Sequence, residues 1–302
     1  MRPGHWYGGS TGLTVRMAIV MILLAVIYLA FVALLFALTR SMLFVGVLVA
    51  GFALFQYFYS DKLVLLSMGA HEVSAEQAPE LYGIVERLCQ MIDLPRPKIA
   101  IADTDVPNAF ATGRNPEHAV VCVTSGIMRR LDENELEAVL AHELSHVKNR
   151  DVAVITFASI FSTVASFIVQ WGFWLGLGGG GRRDDRDSGA GATVLIYLAS
   201  IVVWIVSYLL ILTLSRYREL AADRGSAIIT GAPSHLMSAL VKITGTMARI
   251  PTQDLRQVEH QNAFMIVPAL NGDSIAGLFS THPSLEKRLE QLRQLERQME
   301  SA

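Results

Sequence analysis

Cysteine is scarce in this sequence: Cys89 and Cys122 are the only two among 302 residues. Two are too few for a disulfide framework, and neither belongs to a Cys-x-x-Cys pair, so both read as buried free thiols of a reducing compartment. Net charge is small, at −2, and nothing in it argues for nucleic-acid binding. Charge is missing altogether from four long runs, residues 17–38, 42–59, 152–177 and 192–214. Glycine and proline are missing from residues 132–151, and no internal repeat is visible. What fills the chain instead is apolar: 52% of residues are hydrophobic and the mean hydropathy is +0.40. That is too apolar for an ordinary soluble domain.

The first two runs are each long enough to span a bilayer. Only Thr39, Arg40 and Ser41 separate them, which makes a tight helical hairpin with both outer ends on one side. Tyr57 and Tyr59 suit an interfacial aromatic belt. Arg2 and Arg16 before the first run give a superficial signal-peptide look, but the run is too long for a signal core and reads as a retained anchor. The third run carries Trp171 and Trp174 near its far end, and a Gly-rich charged loop, 178–191, joins it to the fourth. Arg2, Arg16 and Lys62 place the ends of the first hairpin in the cytoplasm by the positive-inside rule. Arg182, Arg183 and Arg186 then fall on the far side, against that rule.

The pentapeptide His142-Glu143-Leu144-Ser145-His146 lies in the stretch free of glycine and proline. It matches H-E-x-x-H, in which two histidines four apart share a helical face and hold one zinc ion. Glu143 lies about 100° around that helix, beside the place of a metal-bound water. Asp132 and Glu135 have capping-box spacing, and Leu136, Val139, Leu140, Leu144 and Val147 form an apolar stripe. Catalytic zinc takes three protein ligands and leaves one position for water. Glu219 is the candidate third ligand, and Asp223, four residues on, is the candidate carboxylate to orient a ligand imidazole. Because His142 precedes the third run and Glu219 follows the fourth, the two runs together must return the chain to one side. Arg216 and Arg218, next to the fourth run, read as residues snorkelling at a membrane surface.

The rest of the polar sequence suggests helices at 78–92, 216–229, Pro233–Met247 and 283–300. Gly225 is a possible early end for the second of these. Strands are expected at Lys98–Ala102 and 118–124, with an edge strand at 108–112. Leu285, Leu289, Leu292 and Leu295 on the last helix read as a docking stripe. An edge strand formed by Asn108, Ala109, Phe110 and Ala111 would bind extended substrate by strand addition.

Four segments in order resemble the HtpX group of membrane-bound zinc metalloproteases, relatives of the CAAX prenyl proteases. They are Pro107-Asn108-Ala109-Phe110-Ala111-Thr112-Gly113, residues 136–151 around Ala141-His142-Glu143, Arg218-Glu219-Leu220-Ala221-Ala222-Asp223, and Thr281-His282-Pro283-Ser284. The resemblance covers nearly the whole chain. It implies one Zn2+ per chain on His142, His146 and Glu219, with Glu143 as catalytic base. It also implies a multi-pass protein of the cell inner membrane, an active site facing the cytoplasm, and a stress-response role in membrane-protein quality control. His282, from the Thr-His-Pro motif, is the candidate donor to the oxyanion. The partners expected are unfolded or membrane polypeptides, the lipid bilayer and other quality-control proteases.

The fold class expected is α+β. It is an integral membrane protein with four predicted transmembrane helices and a mostly helical, zincin-like catalytic domain carrying a small β-sheet. Residues 1–60 form the first hairpin, 61–151 and 215–302 the two parts of the catalytic domain, and 152–214 the second hairpin. The function expected is that of a zinc endopeptidase acting on unfolded or damaged proteins. The alternatives are a specific processing peptidase of the CAAX prenyl protease type and a non-catalytic membrane adaptor with a structural zinc site.

Overall fold

The computed structural model describes residues 11–39, 41–172, 187–250, 265–266 and 282–301. Arg2, the three arginines of the Gly-rich loop, Trp174 and Thr281 lie outside the described residues. The chain separates into two compact units, one holding Tyr59–Ala153 with Ser215–Ala302 and the other Thr14–Phe58 with Val154–Leu214.

The first unit carries a four-stranded mixed sheet of order β1-β2-β4-β3. Its strands are β1 (Ala70–Glu72), β2 (Lys98–Ala102), β3 (Ala109–Thr112) and β4 (Val120–Thr124). β4 is buried throughout, as a strand covered on both faces must be, and its continuous Val-Val-Cys-Val run fits that place. It pairs parallel to β2, with Ile99 opposite Val121, and antiparallel to β3, with Phe110 opposite Cys122. β3 is therefore an edge strand, as expected. β4 begins later than expected because Asn115 caps a 3-10 turn at Pro116–His118, its Oδ1 accepting the His118 amide at 3.0 Å. β1 is three residues long, too short to leave an alternating pattern in the sequence.

Helices cover the sheet. α3 (Pro79–Ile92) buries Leu81, Ile84, Val85 and Leu88. A short α4 (Ser125–Met128) follows β4 directly, capped by Thr124. α5 (Glu133–Lys148) starts from Asp132, where both bonds of the capping box form. At its other end the Lys148 ammonium donates to the carbonyls of Ile92 and Asp93, 2.7 and 3.1 Å away, satisfying orphan groups at the end of α3. Leu140 and Leu144 of α5 are fully buried, each burial contributing about 1.5–3 kcal/mol. Glu135 is buried too, and it accepts hydrogen bonds from Ser238 (2.6 Å) and Lys242 (2.7 Å) of α8 (Pro233–Met247). The C-terminal helix α9 (Leu285–Glu300) starts from Ser284 and buries Leu292 and Leu295 in the same core.

The second unit is apolar and helical. It holds most of α1 (Thr11–Thr39) and α2 (Met42–Ser67), and the apolar parts of α6 (Asp151–Gly172) and α7 (Asp187–Thr230). Among the described residues, three helices are long and apolar enough to cross a membrane: Gly12–Leu38, Asp151–Gln170 and Val194–Thr230. A fourth apolar stretch, Val45–Tyr59, is shorter. Side chains such as Leu29 and Leu43 are 72% and 78% exposed, a surface suited to lipid rather than water. Inside the unit, the Tyr28 hydroxyl donates to the Ala158 carbonyl, and the Gln56 amide donates to Ser159 Oγ at 2.8 Å.

One expectation is corrected here. The fourth run and the helix expected at 216–229 are a single 44-residue helix, α7. Gly225 does not shorten it, because that glycine is taken up by packing.

Candidate metal centre

The site is built where α5 meets the last three turns of α7. Gly225 makes that approach possible: a Cβ placed there would come within 2.3 Å of Ser145 Oγ and 2.8 Å of Ser145 Cβ. One residue on, the Ser226 hydroxyl donates to the Ala138 carbonyl at 2.7 Å. The two helices are thus held face to face, and periodicity does the rest. His142 and His146 project from one face of α5, Glu219 and Asp223 from one face of α7.

His142, His146 and Glu219 converge. The two histidine Nε2 atoms lie 3.2 Å apart, and the Glu219 carboxylate lies 3.6 Å from His142 Nε2 and 3.4 Å from His146 Nε2. A zinc tetrahedron with bonds of ~2.0–2.1 Å has edges of roughly 3.3–3.4 Å, so the three groups fit one ion. They form a group of potential metal ligands among the described residues.

Each imidazole turns its other nitrogen to a carboxylate. His142 Nδ1 lies 3.0 Å from Asp223 Oδ1, and His146 Nδ1 lies 2.6 Å from Asp151 Oδ2. Burial disfavours the imidazolium of both, but Asp223 and Glu219 at His142, and Asp151 and Glu219 at His146, outweigh it and raise their pKa values. Rings this attractive to a proton attract a cation for the same reason, and metal and proton compete for one lone pair.

Glu143 is buried beside them. Burial raises its carboxyl above the usual range, against the pull of the His142 and His146 rings and a hydrogen bond from the Ala111 backbone. Its carboxylate is thereby tied to β3, the sheet edge. Along that edge, the Thr124 amide donates to the Asn108 carbonyl at 2.9 Å. Ladder alternation then turns the backbone groups of Ala109 and Ala111 to the open side. The side chains of Ala109 and Phe110 are buried in the core, and that of Asn108 accepts the Ile266 amide at 2.9 Å. His282 is buried with Nδ1 3.0 Å from Glu219 Oε2.

Three residues of this neighbourhood carry no chemistry in the sequence alone. Asp151 follows α5 after Arg150, whose φ of 56° turns the chain back toward His146. A left-handed non-glycine residue leaves no mark that periodicity can reveal. Arg288 is 2% exposed and grips Asp223 through two bonds of 2.9 and 2.6 Å, while donating to the Ile266 carbonyl at 2.8 Å. Its signal was present: it sits on the leucine stripe of α9, where a charge needs a buried partner. Arg218 corrects an expectation. It does not snorkel at a surface but is 2% exposed, with Nη2 2.5 Å from Asp151 Oδ1.

Cys89 and Cys122 are buried and free. Burial pushes their thiols up to about 11 and about 12.

Comparison with known proteins adds a family. Residues 75–296 match the model of peptidase family M48. The chain is 61% identical over 295 residues to a "Protease HtpX homolog" of Moorella thermoacetica, covering 97% of each chain. It is 56% identical to "Protease HtpX homolog 2" of Methanosarcina acetivorans, covering 95% of this chain and 97% of that one. Among solved structures, the crystal structure of S. mikatae Ste24p aligns over 94% of this chain and 67% of its own, with a TM-score of 0.55 and 16% identity. That likeness is one of fold.

Proposed function

The chain belongs to peptidase family M48, and from that premise we propose that it is a zinc-dependent endopeptidase of the inner membrane that degrades unfolded or damaged polypeptides. That it is a membrane-bound metallopeptidase follows from the family, the HtpX relatives and its apolar helices. The observation that carries the finer reading is the convergence of His142, His146 and Glu219 with Glu143 beside them.

In this reading His142, His146 and Glu219 hold one zinc ion. When bound, zinc supplies Lewis acidity toward the scissile carbonyl and eases ionisation of water. Glu143 takes the proton of the attacking water and delivers it to the leaving amine. Its raised pKa suits a group that must hold a proton between those two transfers. His282 donates to the oxyanion that develops on the carbonyl. The outward backbone of Ala109 and the carbonyl of Ala111 align an extended peptide with little demand on its sequence, which suits unfolded substrates. Asp223 orients His142.

The hairpin 152–214 divides the catalytic domain, 61–151 with 215–302, and with the first hairpin brings the number of spans to four. The active site faces the cytoplasm. A cysteine replacing the exposed Glu117, in a chain lacking Cys89 and Cys122, should react with an impermeant thiol reagent only after lysis. Labelling in intact cells would reverse the orientation.

The deciding experiment for function is cleavage of an unfolded reporter by the purified chain. Turnover should vanish on chelation and return with zinc. Turnover that ignores chelation would sink the reading, and cleavage confined to prenylated C-terminal peptides would favour a processing peptidase.

A further inference from the structure

Each imidazole of the candidate centre is backed by a carboxylate, and each carboxylate by a buried arginine. On His142 the partners are Asp223 and Arg288. On His146 they are Asp151 and Arg218. We propose that Asp151 and Arg218 are positioning residues for metal binding, acting through His146. The proposal rests on His142, His146 and Glu219 being the metal ligands.

A neutral imidazole has one donor and one acceptor nitrogen, and whatever fixes the first directs the second. Asp151 Oδ2, 2.6 Å from Nδ1, accepts that proton and leaves the lone pair on Nε2. Nε2 is the atom that faces His142 and Glu219, at 3.2 and 3.4 Å. Asp151 uses its other oxygen for Arg218, at 2.5 Å. One carboxylate therefore bridges the ring and the guanidinium with a different oxygen for each, which fixes its plane as well as its position. Arg218 also balances a charge that is buried close to Glu219, where a second carboxylate would otherwise be repelled.

The two residues come from separate stretches of chain. Asp151 is the first residue of α6, reached through the left-handed Arg150. Arg218 lies one position before Glu219 on α7. This ion pair links the first residue of α6, three beyond the HExxH helix, to the helix that delivers the third ligand. A plain structural ion pair would serve packing alone and would not need the ring of His146.

The test uses the full chain in detergent, stripped of metal and titrated with Co2+, whose visible d–d absorption reports ligand geometry. Asp151→Asn should weaken Co2+ binding by about 10–100-fold and shift the spectrum. The metal-free protein should still unfold cooperatively, at a lower temperature because Arg218 is left buried beside a neutral amide. Arg218→Met should move both readouts the same way, and Arg218→Lys should recover part of the affinity. Affinity within about twofold of the parent, with an unchanged spectrum, in folded Asp151→Asn would overturn the proposal. Should Asp151→Asn not fold, Arg218→Met decides by the same criterion, and failure of both to fold would make the pair structural. Glu219→Ala separates the two claims. If it binds Co2+ like the parent, the ligand set itself is wrong; if it loses Co2+ while Asp151→Asn does not, only the positioning role fails.

Discussion

Gly225 of α7 lies so close to Ser145 of α5 that a single methyl group could not be accommodated between them: a Cβ at 225 would meet Ser145 Oγ at 2.3 Å and its Cβ at 2.8 Å. Ser145 is itself held, its hydroxyl donating to the Ala141 carbonyl at 2.8 Å. The contact sets the distance between the helix bearing His142 and His146 and the helix bearing Glu219. Gly225→Ala should therefore cost about 1–3 kcal/mol through overpacking and weaken metal binding as well. Adding Ser145→Gly, which removes the colliding atoms, should restore metal affinity. Thermal unfolding and chelator competition measure the two effects, and a Gly225→Ala protein with parental metal affinity would show the spacing to be tolerant.

Glu143→Gln keeps the shape of the side chain and removes the base. Hydrolysis of an unfolded reporter should fall by a factor of about 10²–10⁴ or more, with about one metal per chain retained. Turnover near the parental rate would assign the proton transfer elsewhere.

Glu219→Ala and Asp223→Ala should differ in degree. The first removes a ligand atom and should abolish tight metal binding. The second removes the acceptor for His142 Nδ1 and should weaken binding by about 10–100-fold. It also leaves Arg288 buried without the carboxylate it grips at two points, so its thermal stability should drop as well. Metal analysis after dialysis, alongside unfolding curves, distinguishes the two.

Ala109→Pro removes an amide that points to the open side of β3, and so spares the ladder to β4. One substrate hydrogen bond is lost, worth about 0.5–1.5 kcal/mol, so KM for an extended peptide should rise by roughly 3–10-fold. Metal content should persist. Metal and peptide binding lost together would mean that the strand only supports the fold.

Cys122 and Cys89 should be inert in the folded chain. Burial pushes their thiols up to about 12 and about 11, from 9.0 for an ordinary thiol. Below pH 9 both states hold the proton and these groups do not affect stability. Above it the unfolded chain releases protons that the folded chain keeps, so stability falls as pH rises from about 9 toward 11. Iodoacetamide at neutral pH should label neither residue until denaturant is added, and rapid labelling of native protein would contradict their burial.

Much of the architecture was legible because it is periodic. The capping box at Asp132 and Glu135 marked the start of α5, and both its bonds form. Spacing of four put His142 with His146 and Glu219 with Asp223 on common helix faces. β2 and the edge strand β3 stood out as short apolar stretches. The fourth run and its following helix read as two elements because Arg216, Arg218 and Glu219 end the apolar stretch, a change of composition with no break in the helix. Gly225 read alone looks like an early terminator. Its actual use, close contact with Ser145, depends on a residue 80 positions away.

Composition and local pattern determined which segments are apolar enough for a membrane, which are helices, and which residues are candidates for metal chemistry. These follow from hydrophobicity and from the 3.6-residue turn, both properties of neighbours in the chain. Tertiary structure alone decided how distant segments meet. It put His142 and His146 against Glu219, gave His146 its acceptor through a left-handed turn at Arg150, and drew Arg218 and Arg288 into the interior. Buried charges need partners of opposite sign at bonding distance. Asp151 and Asp223 meet that need only once α6, α7 and α9 have packed, so no local reading of the chain pairs them.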